Sequence, residues 1–122
     1  MMKSREVLIM QVQIDLPEEA LSAFTDGGSD APERAARFLK SIAHRDRLKV
    51  LCELLYGEQT VATIEWQVGA SQSAVSQHLA RLKSEGIVTA RRDGRQIYYA
   101  ISDPMVRNLI ELLYLRFCAP DA

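Results

Sequence analysis

Two helical segments and a hairpin follow one another without a break between Thr60 and Ile101, and this order restricts the possible folds most. The segments TVATIEWQV and SQSAVSQHLARLKSE both place apolar residues at helical spacing, and only Gly69 and Ala70 separate them. A short helix, a tight turn containing glycine and a second helix form the helix-turn-helix pattern. We therefore predict a helix-turn-helix whose second helix spans roughly Ser71 to Glu85.

The periodicity of the apolar residues becomes that of a β-strand after this second helix. The segments IVTARR and RQIYYAI are rich in β-branched and aromatic residues, and Asp93-Gly94 between them is typical of a tight hairpin turn. The sequence therefore predicts a β-hairpin that turns at Asp93-Gly94. Together the elements predict a mainly α fold with one β-hairpin, of the α+β class, namely a winged helix-turn-helix.

Helices are also predicted on both sides of this core. One begins at Pro32, a second covers RDRLKVLCELL and ends by Gly57, and a last one opens at Asp103-Pro104. On the helix before Gly57 we expect one apolar face, and Trp66 is expected to pack against the rest of the domain. The expected apolar face comprises Leu48, Leu51, Cys52 and Leu55.

The last helix is apolar over much of its circumference. A second apolar flank beside the main stripe indicates that the helix packs against more than one surface. The main stripe comprises Val106, Leu109, Ile110, Leu113 and Phe117, and the flank comprises Leu112 and Leu115.

We predict three regions along the chain. Residues 1–31 form an N-terminal arm and linker, with a short amphipathic helix in PEEALSAF. Residues 32–118 form the winged helix-turn-helix domain for DNA binding and dimerisation, and residues 119–122 form a tail. The stretch VLIMQVQI is interpreted as a strand, as a flexible arm or as sequence upstream of a natural start at Met10. No apolar run is long enough to span a bilayer and VLIMQVQI lacks the features of a signal peptide, so we expect a soluble, cytoplasmic protein without a membrane partner.

The distribution of charge says more than the formal net charge of −1. Residues 1–43 carry five basic and seven acidic side chains, whereas residues 71–99 carry five basic and two acidic ones. The predicted helix-turn-helix and hairpin are therefore locally basic, as a surface that meets DNA phosphates has to be.

The predicted second helix and hairpin offer side chains suited to DNA. Short hydroxyl and amide groups near the start of a groove-bound helix can reach base edges, and guanidinium groups on a hairpin can reach phosphates or the minor groove. The alternative is a solvated polar face on an ordinary helical domain or a winged helix used for protein contacts. The combined pattern favours DNA binding. The predicted contacts are Ser71, Gln72, Ser73, Ser76, Gln77, His78 and Arg81 on the helix, and Arg91, Arg92, Arg95 and Gln96 on the hairpin.

These motifs resemble those of the ArsR/SmtB family of bacterial winged-helix repressors. The resemblance rests on the RDRLKVL start, the recognition stretch SQSAVSQHLARLKSEGIV and the wing RRDGRQIYY, and it covers most of the chain from about Ala35 to Cys118. It implies a homodimer whose terminal helices pair and which binds operator DNA of dyad symmetry until an inducer releases it. The two apolar flanks of the last helix agree independently with such pairing.

Metal-sensing members of this family need several thiolates or histidines at helical spacing. LKVLCELLYG offers only Cys52, and DPMVRNLIELLYLRFC contains no histidine. We therefore predict no metal site and no cofactor. A zinc site built from Cys52, Cys118, His44 and Glu111 is the alternative.

The two cysteines resemble those of the BigR and SqrR subgroup of dithiol sensors, with one in an early core helix and one at the end of the terminal helix. The resemblance implies that Cys52 and Cys118 sense persulfides or polysulfides and that cross-linking releases the operator. Sensing of general oxidants or of a metal ion stays an alternative. A thiol-dependent oxidoreductase is a distant one, because the chain lacks a CxxC motif, a nucleotide-binding loop and a base paired with a thiol, so no enzyme activity is predicted.

Overall fold

The computed structural model describes residues 17–118, and the VLIMQVQI segment and the predicted tail lie outside them. The described residues belong to two compact units, one ending at Leu39 and the other beginning at Lys40. No helix in residues 17–118 combines the length and apolarity needed to cross a membrane. The elements are α1 (Glu18–Thr25), α2 (Ala31–Ile42), α3 (Arg45–Leu54), β1 (Gln59–Thr60), α4 (Val61–Val68), α5 (Gln72–Ser84), β2 (Val88–Asp93), β3 (Gln96–Ile101) and α6 (Pro104–Phe117).

Local capping fixes the boundaries of the helix-turn-helix, which is formed by α4 and α5. The Thr63 N–H donates to the Thr60 hydroxyl at the start of α4, and the Ala74 N–H donates to the Ser71 hydroxyl at the start of α5. Gly69 ends α4 in the left-handed region, with φ of 78°. The predicted helix-turn-helix is therefore confirmed, with Ser71 and Glu85 as the caps of its second helix.

The hairpin β2–β3 is also confirmed, and β1 extends it to a three-stranded antiparallel sheet of order β1-β3-β2. Asp93 pairs with Gln96, so the two central residues of the turn are Gly94 and Arg95 rather than Asp93 and Gly94. Gly94 has φ of 64°, and no described residue other than glycine has a positive φ. This arrangement matches the hairpin turn that needs glycine only at its first central position. The position predicted for the turn was wrong by one residue.

The core of the second unit lies where α3 meets α4, α5 and α6. Val50, Leu51 and Leu54 of α3 are fully buried, whereas Leu48 and Leu55 are only half-buried. The apolar face predicted for this helix was therefore turned slightly from the true one. Apolar residues occupy so many adjacent positions of α3 that helical spacing alone does not decide which of them meet the three neighbouring helices.

The apolar stripe predicted for α6 is buried only in part, and the packing predicted for Trp66 is absent from the described residues. Val106 and Ile110 of α6 are fully buried, but Leu115 and Phe117 near its end are 53% and 73% exposed in the single chain. The prediction that Trp66 packs against the domain was wrong, because its side chain is 83% exposed. Trp66 lies on the side of α4 opposite the buried Ile64 and Val68, which take the packing position instead.

Candidate DNA-binding surface and dithiol

Helix α5 separates its buried side chains from a polar recognition face, which we define as Gln72, Ser73, Ser76 and Gln77. All four side chains are exposed, whereas the apolar residues between them hold the helix to the core. The packing residues are Val75, Leu79 and Leu82. A helix with this division can present its amide and hydroxyl groups to base edges in a major groove.

Ser71 has a structural role in addition to the DNA contact predicted for it. Its hydroxyl oxygen accepts the Ala74 N–H at 3.1 Å and so caps α5. The hydroxyl proton is still available to donate, and the exposed N-terminus of the helix favours a phosphate oxygen nearby. Arg81, which was predicted to pass the DNA backbone, is exposed near the other end of α5.

We define the wing tip as Arg92, Gly94, Arg95 and Gln96, all of which are exposed. Within residues 17–118 no hydrogen bond or ion pair occupies the guanidinium groups of Arg92 and Arg95. An exposed guanidinium group without a partner in the protein breaks no hydrogen bond or ion pair when it binds a phosphate oxygen. Both arginines lie exposed near the turn of the hairpin, and the DNA contact predicted for them stays a prediction.

Arg91 differs from the other wing arginines because it is already paired. Its Nε and Nη2 atoms donate to the two carboxylate oxygens of Glu58 at 2.9 and 2.8 Å, and its guanidinium lies 4.8 Å from the centre of the Tyr98 ring. The hydrogen bond from Arg91 lowers the pKa of Glu58, so the carboxylate stays charged at neutral pH. Arg91 therefore ties β2 to the loop before β1, and it would have to leave Glu58 to contact a phosphate.

His78 belongs to a histidine cluster, defined as His44, Arg47 and His78, that the sequence did not predict. The two rings lie with centroids 4.6 Å apart, and Arg47 Nη1 is 3.4 Å from His78 Nδ1. Burial lowers the pKa of His78, and the neighbouring His44 and Arg47 lower it further, against the opposite effect of Asp46. His78 is therefore neutral at pH 7 and half-buried beside the recognition face.

Cys52 and Cys118 are both free thiols, and we call them the dithiol pair. Cys52 is half-buried on α3, whereas Cys118 is exposed at the C-terminal end of α6, which packs against α3. Burial raises the pKa of the Cys52 thiol, and the nearby Cys118 and Glu53 raise it further. Cys118 thus lies close enough to Cys52, within one chain, to affect the ionisation of the Cys52 thiol.

The alternative zinc site is not assembled in the described part of the chain. His44 precedes the first turn of α3, whereas Cys52 lies near its last turn, and eight residues of helix separate them by about 12 Å. The potential metal ligands that do come together are His44, Asp46 and His78, with one atom of each within 4.8 Å of the others. The four-residue zinc site was therefore wrong in grouping His44 with the cysteines.

The chain is similar to known regulators over most of its length. The family model described as "Bacterial regulatory protein, arsR family" matches residues 44–90. A "Biofilm growth-associated repressor" of Agrobacterium fabrum is 35% identical over 112 residues, which cover 92% of each chain.

Solved structures show the same likeness in three dimensions. The transcriptional repressor BigR from Xylella fastidiosa superposes with a TM-score of 0.71 at 33% identity, over 85% of this chain and 99% of that one. A homodimeric winged helix-turn-helix DNA-binding domain from Mycobacterium bovis gives a TM-score of 0.66 at 34% identity, over 75% and 85%. The predicted family and fold are confirmed, and the chain belongs to the ArsR family of bacterial transcriptional regulators, which are winged helix-turn-helix proteins and not enzymes.

Proposed function

We propose that the protein is a homodimeric repressor that leaves its operator when persulfide or polysulfide cross-links the dithiol pair. The observation that carries the proposal is the closeness of Cys52 and Cys118 within one chain of an ArsR-family regulator. Two relatives named as repressors, from Agrobacterium fabrum and Xylella fastidiosa, support the direction of the regulation.

The dimer is proposed from the apolar surface that α6 leaves uncovered. Tyr114, Leu115 and Phe117 are exposed in the single chain, although exposed aromatic and aliphatic groups in succession are costly in water. A second copy of α6 would cover them. Such a dimer would carry two recognition faces and two wing tips related by a two-fold axis, as an operator of dyad symmetry requires.

The dithiol chemistry begins at Cys118, because its thiol is exposed whereas that of Cys52 is half-buried with a raised pKa. The Cys118 thiolate attacks the outer sulfur of a glutathione persulfide, forms a protein persulfide and expels glutathione thiolate. The Cys52 thiolate then attacks the inner sulfur of the Cys118 persulfide and expels hydrosulfide, leaving a disulfide. Two thiols are oxidised, and the sulfane sulfur of the inducer is reduced to sulfide. If both cysteines are persulfidated first, loss of one hydrosulfide gives a trisulfide instead.

Cross-linking would act on DNA binding through the scaffold. Helix α3 packs against α4, α5 and α6, so it contacts both helices of the helix-turn-helix and the helix proposed to pair in the dimer. The Nη1 atom of Arg107 on α6 also donates to the Leu55 carbonyl at 3.4 Å, next to the end of α3. A covalent bond between α3 and the end of α6 would shift one relative to the other. The spacing of the two recognition faces would then change, and a dyad operator tolerates little error in that spacing.

The raised pKa of Cys52 predicts how the second step depends on pH. Because only the thiolate attacks, the fraction of reactive Cys52 rises as the pH rises toward its elevated pKa. We expect the Cys118 persulfide to persist in mildly acidic buffer and to convert to the cross-link progressively faster as the pH is raised. Quenching with an alkylating agent, followed by intact mass measurement, follows both species. A cross-linking rate that does not change between neutral and alkaline pH would contradict this order of steps.

The proposed function as a whole is tested by a gel shift with the DNA upstream of the protein's own gene. We expect a sequence-preferring complex that dissociates on addition of glutathione persulfide and re-forms with dithiothreitol. Matched samples receive hydrogen peroxide, oxidised glutathione or Zn²⁺, which separate the persulfide inducer from general oxidants and metals. Absence of a sequence-preferring complex would refute the repressor, and release by Zn²⁺ alone would refute the dithiol.

A further inference from the structure

The histidine cluster joins the start of α3 to the middle of α5. Of its members only His78 has been given a role so far, as a predicted DNA contact. Arg47 donates through Nε to the Ser41 carbonyl at 2.7 Å and through Nη2 to the Lys40 carbonyl at 3.4 Å, while Nη1 faces His78 Nδ1. The guanidinium is thus fixed from outside the recognition helix. His44 faces the same ring, and its own Nδ1 accepts the Asp46 N–H at 3.1 Å.

The contact between Arg47 and His78 determines where the ring proton of His78 lies. A guanidinium carries donors and no acceptor, so in this pair Arg47 donates and His78 Nδ1 accepts. A neutral imidazole carries one proton, which must then be on Nε2. Among residues 17–118 no acceptor is hydrogen-bonded to this Nε2–H group, so it can donate to a ligand.

We propose that Arg47 is a positioning residue, which holds His78 as a neutral ring whose Nε2–H donates to an acceptor on the DNA. The proposal rests on DNA binding by α5. His78 directly follows Ser76 and Gln77 of the recognition face, and the acceptor is either a guanine N7 atom or a phosphate oxygen.

The surroundings of His78 favour a neutral donor over a positive charge. Its burial, His44 and Arg47 all oppose protonation, and only Asp46 favours it. A neutral N–H group gives a directional hydrogen bond whose strength depends little on salt, unlike the phosphate contacts of the wing arginines. Arg47 is hydrogen-bonded to the end of α2 and holds the ring in one orientation before DNA binds. The His78 side chain therefore loses less conformational entropy on binding.

The same geometry argues against the other use of this cluster, as a site for a divalent metal. His44, Asp46 and His78 are close enough to share an ion. A metal on His78 Nε2 would require the ring proton on Nδ1, where it would face the donor group of Arg47. A metal on His44 Nε2 would in the same way remove the bond that caps α3. Metal binding would thus break the Arg47–His78 and Asp46–His44 hydrogen bonds, both of which are kept when His78 Nε2–H donates to DNA.

The test is a long-range proton–nitrogen NMR spectrum of the histidine rings in the full-length protein, compared between wild type, Arg47→Met and Arg47→Lys. We expect an unprotonated Nδ1 and a protonated Nε2 for His78 in the wild type. Arg47→Met should give a mixture of tautomers and a higher pKa for His78, while Arg47→Lys, which keeps a donor, should restore the wild-type tautomer. Protonated Nδ1 in the wild type, or ring resonances that shift on addition of equimolar Zn²⁺, would overturn the proposal.

Operator binding by the same variants links the tautomer to function. We expect Arg47→Met to weaken operator binding by about three- to tenfold, the value of one neutral hydrogen bond, and to weaken random DNA less. The difference in operator affinity between the wild type and Arg47→Met measures the His78 contribution. If this difference disappears in operators containing 7-deazaguanine, the acceptor is a base. If it disappears with methylphosphonate linkages, the acceptor is the DNA backbone. Insensitivity of the wild type to both replacements would overturn the proposal. Failure of the wild type to bind any DNA would instead refute the proposed function.

Discussion

Cys118→Ser is expected to bind the operator as tightly as the wild type and to stay bound when glutathione persulfide is added. The substitution removes the exposed thiol that is proposed to react first, and it alters no contact of the recognition face or the wing tip. Release should change from complete to undetectable, the largest effect that any single substitution here should have. A gel shift or fluorescence anisotropy titration on one operator fragment, with and without the persulfide, measures it.

Cys52→Ser is the matched variant, because it leaves the first step intact and removes the second. It should also stay bound, yet it should accumulate a persulfide on Cys118 that intact mass detects. The pair of variants therefore separates modification from cross-linking. A Cys118→Ser protein that still leaves the operator in response to persulfide would show that the dithiol pair is not the sensor.

Gln77→Ala is expected to weaken operator binding by about tenfold or more while changing the affinity for random DNA little. The amide of Gln77 is exposed on the recognition face and can make two hydrogen bonds to one base edge, so its loss removes base preference. Competition between labelled operator and unlabelled random DNA measures the ratio directly. The Ser76→Ala protein should show the same pattern with a smaller effect.

Arg95→Ala and Arg92→Ala provide the contrasting case on the wing tip. Each removes a guanidinium group that has no partner among the described residues, so binding to all sequences should weaken together. The slope of log affinity against log salt should become shallower by about one for each arginine lost. Equal loss on operator and random DNA for Gln77→Ala would mean that the base-reading face lies elsewhere on the molecule.

The parts of the fold that local chemistry controls were predictable from the sequence. Ser71 and Gly69 act within a few residues of themselves, and they fix the boundaries of the helix-turn-helix as predicted. The hairpin was predicted for the same reason. Its turn was misplaced by one residue because Asp93 and Arg95 flank Gly94 symmetrically, and only the register of Asp93 with Gln96 decides between the two positions.

Features that depend on neighbours from distant parts of the chain were not predictable. Trp66 is exposed because Ile64 and Val68 of the same helix already fill the core, and helical spacing alone does not show which residues do so. Arg47 pairs with His78 across 31 positions and Arg91 with Glu58 across 33, and no local pattern announces either pair. Sequence reasoning therefore missed that Arg91 is already paired with Glu58 and that Arg47 contacts His78. The DNA contacts predicted for the second helix and the wing stay predictions.

The dithiol pair was predictable only in part from the sequence. The sequence shows only that one cysteine falls on an early helix and one at the end of the last helix, and the resemblance to dithiol sensors suggested their pairing. The structure adds that α3 packs against α6 and that Cys118 affects the ionisation of Cys52.

The most direct test is peptide mass analysis of the wild-type protein after glutathione persulfide has released it from the operator. Trypsin cleaves after Lys49, Arg81 and Arg116, so a bond between the two cysteines would join the peptide of residues 50–81 to that of residues 117–122. The account predicts this joined peptide as a disulfide, or with one additional sulfur atom, in proportion to the fraction of protein released. Released protein in which both peptides remain separate, with or without persulfide on either, would contradict it.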